Sequence, residues 1–244
     1  MNVNAFWPDP PDWRRWRHVT KLDPDRPLKA EALKLVYASG TDAIMVGGSS
    51  GVTRSAVATL LRQLADSPLP VALEVSTPES VMPGPALFLI PVVLNSRSGD
   101  WLTGNQSQVL AELLPTFGSF IPWSLLLPEA YLVLNPEATV ARLTDAQATL
   151  DSKTAAGYAA FAGRVLRLPL LYVEYSGTFG DMSLLQSVRS AAGDAHIIYG
   201  GGITTAAQAE AAGRLADTVV VGNLIYHDPN RLRETVEAIS KGGR

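Results

Sequence analysis

The sequence contains no cysteine. That excludes disulfides, thiolate nucleophiles and cysteine-held zinc, and it suits a reducing compartment such as the cytoplasm. There are only three histidines, His18, His196 and His227. Their spacing matches no metal-ligand pattern, so they read as structural. Charge of either sign is not in excess: the net charge is -3, and no broad basic field points to nucleic acid. Arg14, Arg15 and Arg17 do cluster, but they interleave with Trp13 and Trp16 and read as a solvated N-terminal face. Long hydrophobic runs are missing too. Stretches such as Ala86 to Leu94 are far too short to cross a bilayer. The first eleven residues, with Pro8, Pro10 and Pro11, lack the apolar run of a signal peptide. A lipid substrate would be met from a membrane surface or through an apolar groove.

What the chain does contain is a repeated alternation. Short aliphatic and β-branched runs recur at Val19–Asp23, Ala43–Gly47, Val71–Val75, Leu87–Val93, Tyr131–Leu134, Leu170–Tyr175, Ile197–Tyr199 and Thr218–Val221. Runs such as Thr218-Val219-Val220-Val221 are apolar on both faces, as strands of a covered parallel sheet must be. Between them, Leu28–Ser39, Thr53–Ala65, Thr154–Leu166, Met182–Ala192, Ala206–Leu215 and Pro229–Ile239 carry helical periodicity. Eight strands over 244 residues predict one (β/α)8 TIM barrel filling a single domain, 1–244. The glycine-rich turns follow strands two, six, seven and eight, whereas an open doubly wound sheet wants one after strand one.

Two crossovers depart from the alternation. Thr77 to Ala86 holds Pro78, Pro83, Gly84 and Pro85, leaving no room for an outer helix, so an extended segment is expected. Asn95 to Ala130 has room for more than one element: a helix over Gly99–Leu114, then an apolar flap or short helix over Phe117–Leu127.

In this fold chemistry sits at the C-terminal ends of the strands. Strand seven runs into Tyr199-Gly200-Gly201-Gly202 and strand eight into Val221-Gly222-Asn223. Glycines let the backbone approach an anion, and free amides ahead of a helix attract it. Strand six ends in Tyr172-Val173-Glu174-Tyr175-Ser176-Gly177, where alternation puts Tyr172, Glu174 and Ser176 on one face. A carboxylate buried there is costly unless paired or functional; Lys21 is one structural partner within reach. Strand one offers Lys21 and Asp23 on a common face, either a salt bridge or a phosphate contact beside a Mg2+ ligand. The turn Gly47-Gly48-Ser49-Ser50-Gly51 is amide-rich and suited to a diphosphate.

Taken in order, several stretches resemble the geranylgeranylglyceryl phosphate synthase family, and within it the bacterial heptaprenylglyceryl phosphate synthase (PcrB) branch. They are His18-Val19-Thr20-Lys21-Leu22-Asp23-Pro24, Gly47-Gly48-Ser49, Leu73-Glu74-Val75-Ser76, Leu94-Asn95-Ser96, Tyr172 to Gly177, Tyr199 to Ile203 and Val221-Gly222-Asn223. The resemblance implies a barrel lacking its third outer helix, a homodimer, and Mg2+-dependent transfer of a prenyl group from its diphosphate to sn-glycerol 1-phosphate. Carried over by position, Lys21, Tyr172, Glu174, Ser176, Gly177, Gly202, Gly222 and Asn223 would hold the glycerol phosphate. Asp23 and Ser49 would ligate Mg2+. Glu174 is the expected acceptor of the hydroxyl proton. The helix after strand four presents Val109, Leu110, Leu113 and Leu114 as an apolar stripe. Read as a groove, it places Val109 and Leu113 along a donor longer than C20, C35 being favoured and C20 the alternative; read as packing, it is a core face. A phosphosugar isomerase or lyase and a non-catalytic phosphate binder are the competing readings.

Overall fold

A computed structural model describes residues 7–48 and 50–241. Eight parallel strands close into a barrel in chain order: β1 (His18–Leu22), β2 (Ala43–Val46), β3 (Val71–Glu74), β4 (Leu87–Val93), β5 (Leu126–Val133), β6 (Leu170–Glu174), β7 (His196–Gly200) and β8 (Thr218–Val221), with β8 pairing back onto β1. Alternation along each strand divides the apolar residues into two sets. Val19, Met45, Ala72, Leu89, Tyr131, Tyr172, Ile198 and Val220 fill the interior. Leu22, Ile44, Leu73, Leu132, Val173, Tyr199 and Val219 pack outward against the helices.

The helices are α1 (Ala30–Ala38), α2 (Arg54–Gln63), α3 (Asn105–Phe117), α4 (Thr139–Leu143), α5 (Ser152–Ala160), α6 (Met182–Ala191), α7 (Ala206–Gly213), α8 (Leu224–His227) and α9 (Leu232–Lys241). Their starts follow from the sequence. Thr53 caps α2 by accepting from the Ala56 amide at 3.2 Å. Thr205 and Gln208 form a reciprocal capping box on α7, an arrangement in which the threonine is worth about 1 kcal/mol. Asp151 and Asp181 cap α5 and α6 by accepting from the Thr154 and Ser183 amides.

The third crossover contains no α-helix, only a single 3-10 turn at Pro78–Ser80. The wall behind it is therefore less covered: the outward residues Ile90 and Val92 of β4 are only half-buried. In the fourth crossover a π-helical turn, Asp100–Gly104, leads into α3. Two 3-10 turns, Gly118–Phe120 and Trp123–Leu125, then lead directly into β5. That strand begins five residues before its expected start at Tyr131.

The floor of the barrel corrects the reading of the N-terminal cluster. Trp13 and Trp16 pack against the interior residues, and the Trp13 ring meets His196 edge-on at 5.3 Å. Arg17 donates to the carbonyls of Gly213 and Asp217 at 3.0 and 2.7 Å. Arg14 and Arg15 remain exposed, so only they form a solvated face. His18 is structural, lying between the hydroxyls of Thr41 and Thr235 at 2.8 and 3.0 Å.

Candidate active site

The interior near the C-terminal end is polar, and its groups are paired. Lys21 Nζ donates to both oxygens of Glu74, at 3.0 and 2.8 Å. Glu174 accepts from the Tyr131 hydroxyl at 2.6 Å. The Tyr131 and Tyr172 rings stack 4.9 Å apart, and Lys21 Nζ lies 5.6 Å from the Tyr172 ring centre. Neither partner expected from the sequence alone is the one found. Lys21 pairs with Glu74 rather than with Asp23 or Glu174, because β1 and β3 both turn these side chains inward.

These pairings set the proton affinities. Burial disfavours the Lys21 ammonium, yet the Glu74 and Glu174 carboxylates outweigh it and hold its pKa above the ordinary value. Burial raises the Glu174 carboxyl, with Lys21 and the Tyr131 hydroxyl pulling the other way. Asp23, half-buried at the rim, is also raised by burial, opposed by the Asp25 amide that donates to it at 3.0 Å.

Above this layer the turns after β1, β2, β6, β7 and β8 enclose one pocket. Its lining includes Lys21, Tyr172, Glu174, Ser176, Gly177, Gly202, Gly222 and Asn223, together with Asp23 and Gly48. Thus all eight residues assigned to the glycerol phosphate converge, with Asp23 beside them. Ser49 lies outside the described residues. Backbone geometry explains two glycines. Gly202 has φ +51° and is packed against the Thr178 carbonyl carbon, where a side chain would collide. A Cβ on Gly48 would stand 2.6 Å from Asp23 Oδ1.

The turn Gly47 to Gly51 spells the Gly-x-Ser-x-Gly of serine hydrolases. No histidine lines the pocket, so a serine–histidine nucleophile is not assembled among the described residues.

Sequence reasoning passed over Glu74, Tyr131, Arg26 and Tyr226. Arg26 stacks over the Tyr226 ring at 3.8 Å and donates to Asn223 Oδ1 at 2.8 Å, so it brings a second cation to the rim. Glu74 carried the same signal as Glu174, a carboxylate closing a buried strand. Tyr131 opens the strand expected from the sequence, and its inward side follows from its pairing opposite Tyr172.

Val109 and Leu113 lie outside this pocket, on α3. No residue of α3 is buried. Gln106 Nε2 donates to the Pro91 carbonyl at 2.6 Å and anchors the helix beside β4. Gln106, Val109 and Leu113 share one helix face, so the apolar stripe points toward the thinly covered wall while remaining half-exposed. A packed core face would be buried.

A profile described as the PcrB family matches residues 11–242. The chain belongs to the PcrB family. Among its relatives, heptaprenylglyceryl phosphate synthase of Brevibacillus brevis is 43% identical over 93% of this chain and 97% of its own. The enzyme of that name from Bacillus thuringiensis (strain Al Hakam) is 46% identical over 92% and 96%. Among solved structures, (S)-3-O-geranylgeranylglyceryl phosphate synthase from Thermoplasma acidophilum, in complex with sn-glycerol 1-phosphate, superposes with TM-score 0.81. It is 28% identical, covering 94% of this chain and 96% of that one. The barrel with its missing outer helix is thus the fold of this family member.

Proposed function

We propose that this PcrB-family enzyme is a prenyltransferase that joins a long prenyl group to sn-glycerol 1-phosphate through an ether bond, releasing diphosphate. One observation carries the reading: the glycine-rich turns after β6, β7 and β8 face the buried Glu174 carboxyl across a single pocket. Amides of those turns bind the phosphate, and Lys21 and Arg26 add positive charge. The free glycerol hydroxyl is then directed toward Glu174, which takes its proton as the oxygen attacks C1 of the donor. The C1–oxygen bond to diphosphate breaks, and its electron pair leaves with the diphosphate. Tyr131, donating to Glu174, fixes the carboxylate and lowers its charge density.

The donor set fits Mg2+. A half-buried carboxylate, Asp23, stands at an amide-rich turn, and Mg2+ favours one or two carboxylates plus substrate phosphates over an all-protein cage. Asp23, with Ser49 by family resemblance, would hold the ion. When bound it neutralises the diphosphate and improves it as a leaving group. The half-exposed stripe on α3 carries no bulky aromatic at Val109 or Leu113, which supports a donor longer than C20, with C35 favoured.

The test is incubation with sn-glycerol 1-phosphate, Mg2+ and prenyl diphosphates of graded length. Diphosphate release with a matching ether product is expected, with sn-glycerol 3-phosphate a poor acceptor. Absence of ether with every donor would overturn the proposal.

A further inference from the structure

Glu129, on β5, is the polar side chain of the interior that the pairings above leave out. It is fully buried, and neither carboxyl oxygen has a hydrogen-bond partner among the described residues. By alternation it points into the barrel with Tyr131, two residues further along the strand. Lys21, Glu74 and Glu129 come from β1, β3 and β5, alternate strands of the kind that share an interior layer. Burial and the nearby Glu74 carboxylate push the Glu129 carboxyl well above the usual range, which favours the uncharged acid, whose hydroxyl can donate.

A purely structural role explains this residue poorly. An unpaired acid among apolar side chains weakens the fold, and leucine would fill the same volume without that cost. The neighbouring ion pair supplies a reason to keep it. Lys21 commits two donors to Glu74, whereas the functional reading assigns Lys21 to the glycerol phosphate. Any turn of the ammonium toward phosphate leaves Glu74 a buried carboxylate short of donors.

We propose that Glu129 is a positioning residue of the acceptor site, its hydroxyl becoming the hydrogen-bond donor to Glu74 when Lys21 turns to the bound phosphate. The inference rests on the assignment of Lys21 to glycerol phosphate. It predicts that glutamine, which keeps a donor, replaces Glu129 well and that leucine does not.

Binding of sn-glycerol 1-phosphate is measured by calorimetry for the unaltered chain, Glu129→Gln, Glu129→Leu, Glu74→Gln and the double variant Glu74→Gln/Glu129→Leu, with thermal midpoints recorded without ligand. Glu129→Leu should be at least as heat-stable as the parent yet bind about tenfold more weakly, the scale expected when a buried charged acceptor loses its donor. Glu129→Gln should bind within about twofold of the parent, since its amide still donates. In the Glu74→Gln background the leucine substitution should cost nothing further. The inference is overturned if Glu129→Leu binds normally, if it unfolds, if glutamine is as damaging as leucine, or if the loss persists without the Glu74 charge. If the unaltered chain fails to bind, the functional reading falls first and takes this inference with it.

Discussion

Glu174 and Asp23 are both carboxyls whose proton affinity burial has raised, and they differ in what faces them. Glu174 sits between a tyrosine hydroxyl and a lysine in the interior, the setting of a group that accepts a proton and is then stabilised in either form. As the proposed base it works only when ionised, so turnover should rise with pH through a value above that of an ordinary glutamate. Glu174→Gln is expected to lower kcat by at least about a hundredfold and to remove that acid limb. An unaltered pH–rate profile in the variant would assign the proton to another group. Asp23 stands at the rim beside a glycine turn, so Asp23→Asn should leave the circular dichroism spectrum unchanged and abolish the Mg2+ dependence of turnover. Full activity at ordinary Mg2+ concentrations in that variant would remove Asp23 from the metal site.

Among the helices, α3 has no buried residue, and Gln106 is its hydrogen-bonded link to β4. Val109 and Leu113 on its inner stripe are only half-buried, which leaves room for a larger side chain. Val109→Trp should shorten the preferred prenyl donor while leaving glycerol phosphate affinity unchanged, read from product lengths in a donor mixture. An unchanged product distribution from the folded variant would move the length limit to the segment Phe117 to Leu127. Element by element, most strands were legible because apolar runs ending in glycine or aspartate have few other readings in a covered parallel sheet. β5 was not. Pro128 and Glu129 interrupt its apolar run, yet the β6 ladder begins at Glu129, so the missing proline amide precedes that ladder. The same two residues kept the buried acid outside the expected strand. The glycine-rich side of the pocket was legible because backbone turns announce themselves in glycine. The Lys21–Glu74 pair was not, because its partners lie 53 residues apart and only the curved sheet across β2 brings them together.

At the scale of the whole molecule, two buried histidines tie the chain together near the floor. His18 bridges the hydroxyls of Thr41, just before β2, and Thr235, on α9, and His196 bonds the Thr218 hydroxyl at 2.7 Å. Burial lowers their pKa values from 6.5 to about 3 and about 4. A depressed histidine is neutral in the fold and takes up its proton more readily once unfolded. Its contribution is complete above pH 6.5 and drains away as pH falls toward the folded value. Each histidine should cost about 1.4 kcal/mol of stability per pH unit once well below 6.5. Urea unfolding between pH 6 and 5 should show this slope, and His18→Asn should have a shallower one. Equal slopes would mean that His18 is already charged in the folded protein.

The absent third helix has a kinetic meaning as well as a geometric one. A complete ring of helices leaves a barrel one doorway, and two reactants must then queue through it. Here the wall behind β4 is thinly covered, while the rim pocket opens separately at the ends of the strands. Under the proposed function, a water-soluble acceptor and an oily donor would thus arrive from different directions without blocking each other. Initial-rate kinetics should accordingly show no compulsory order of addition, and excess glycerol phosphate should not compete with the prenyl diphosphate for access.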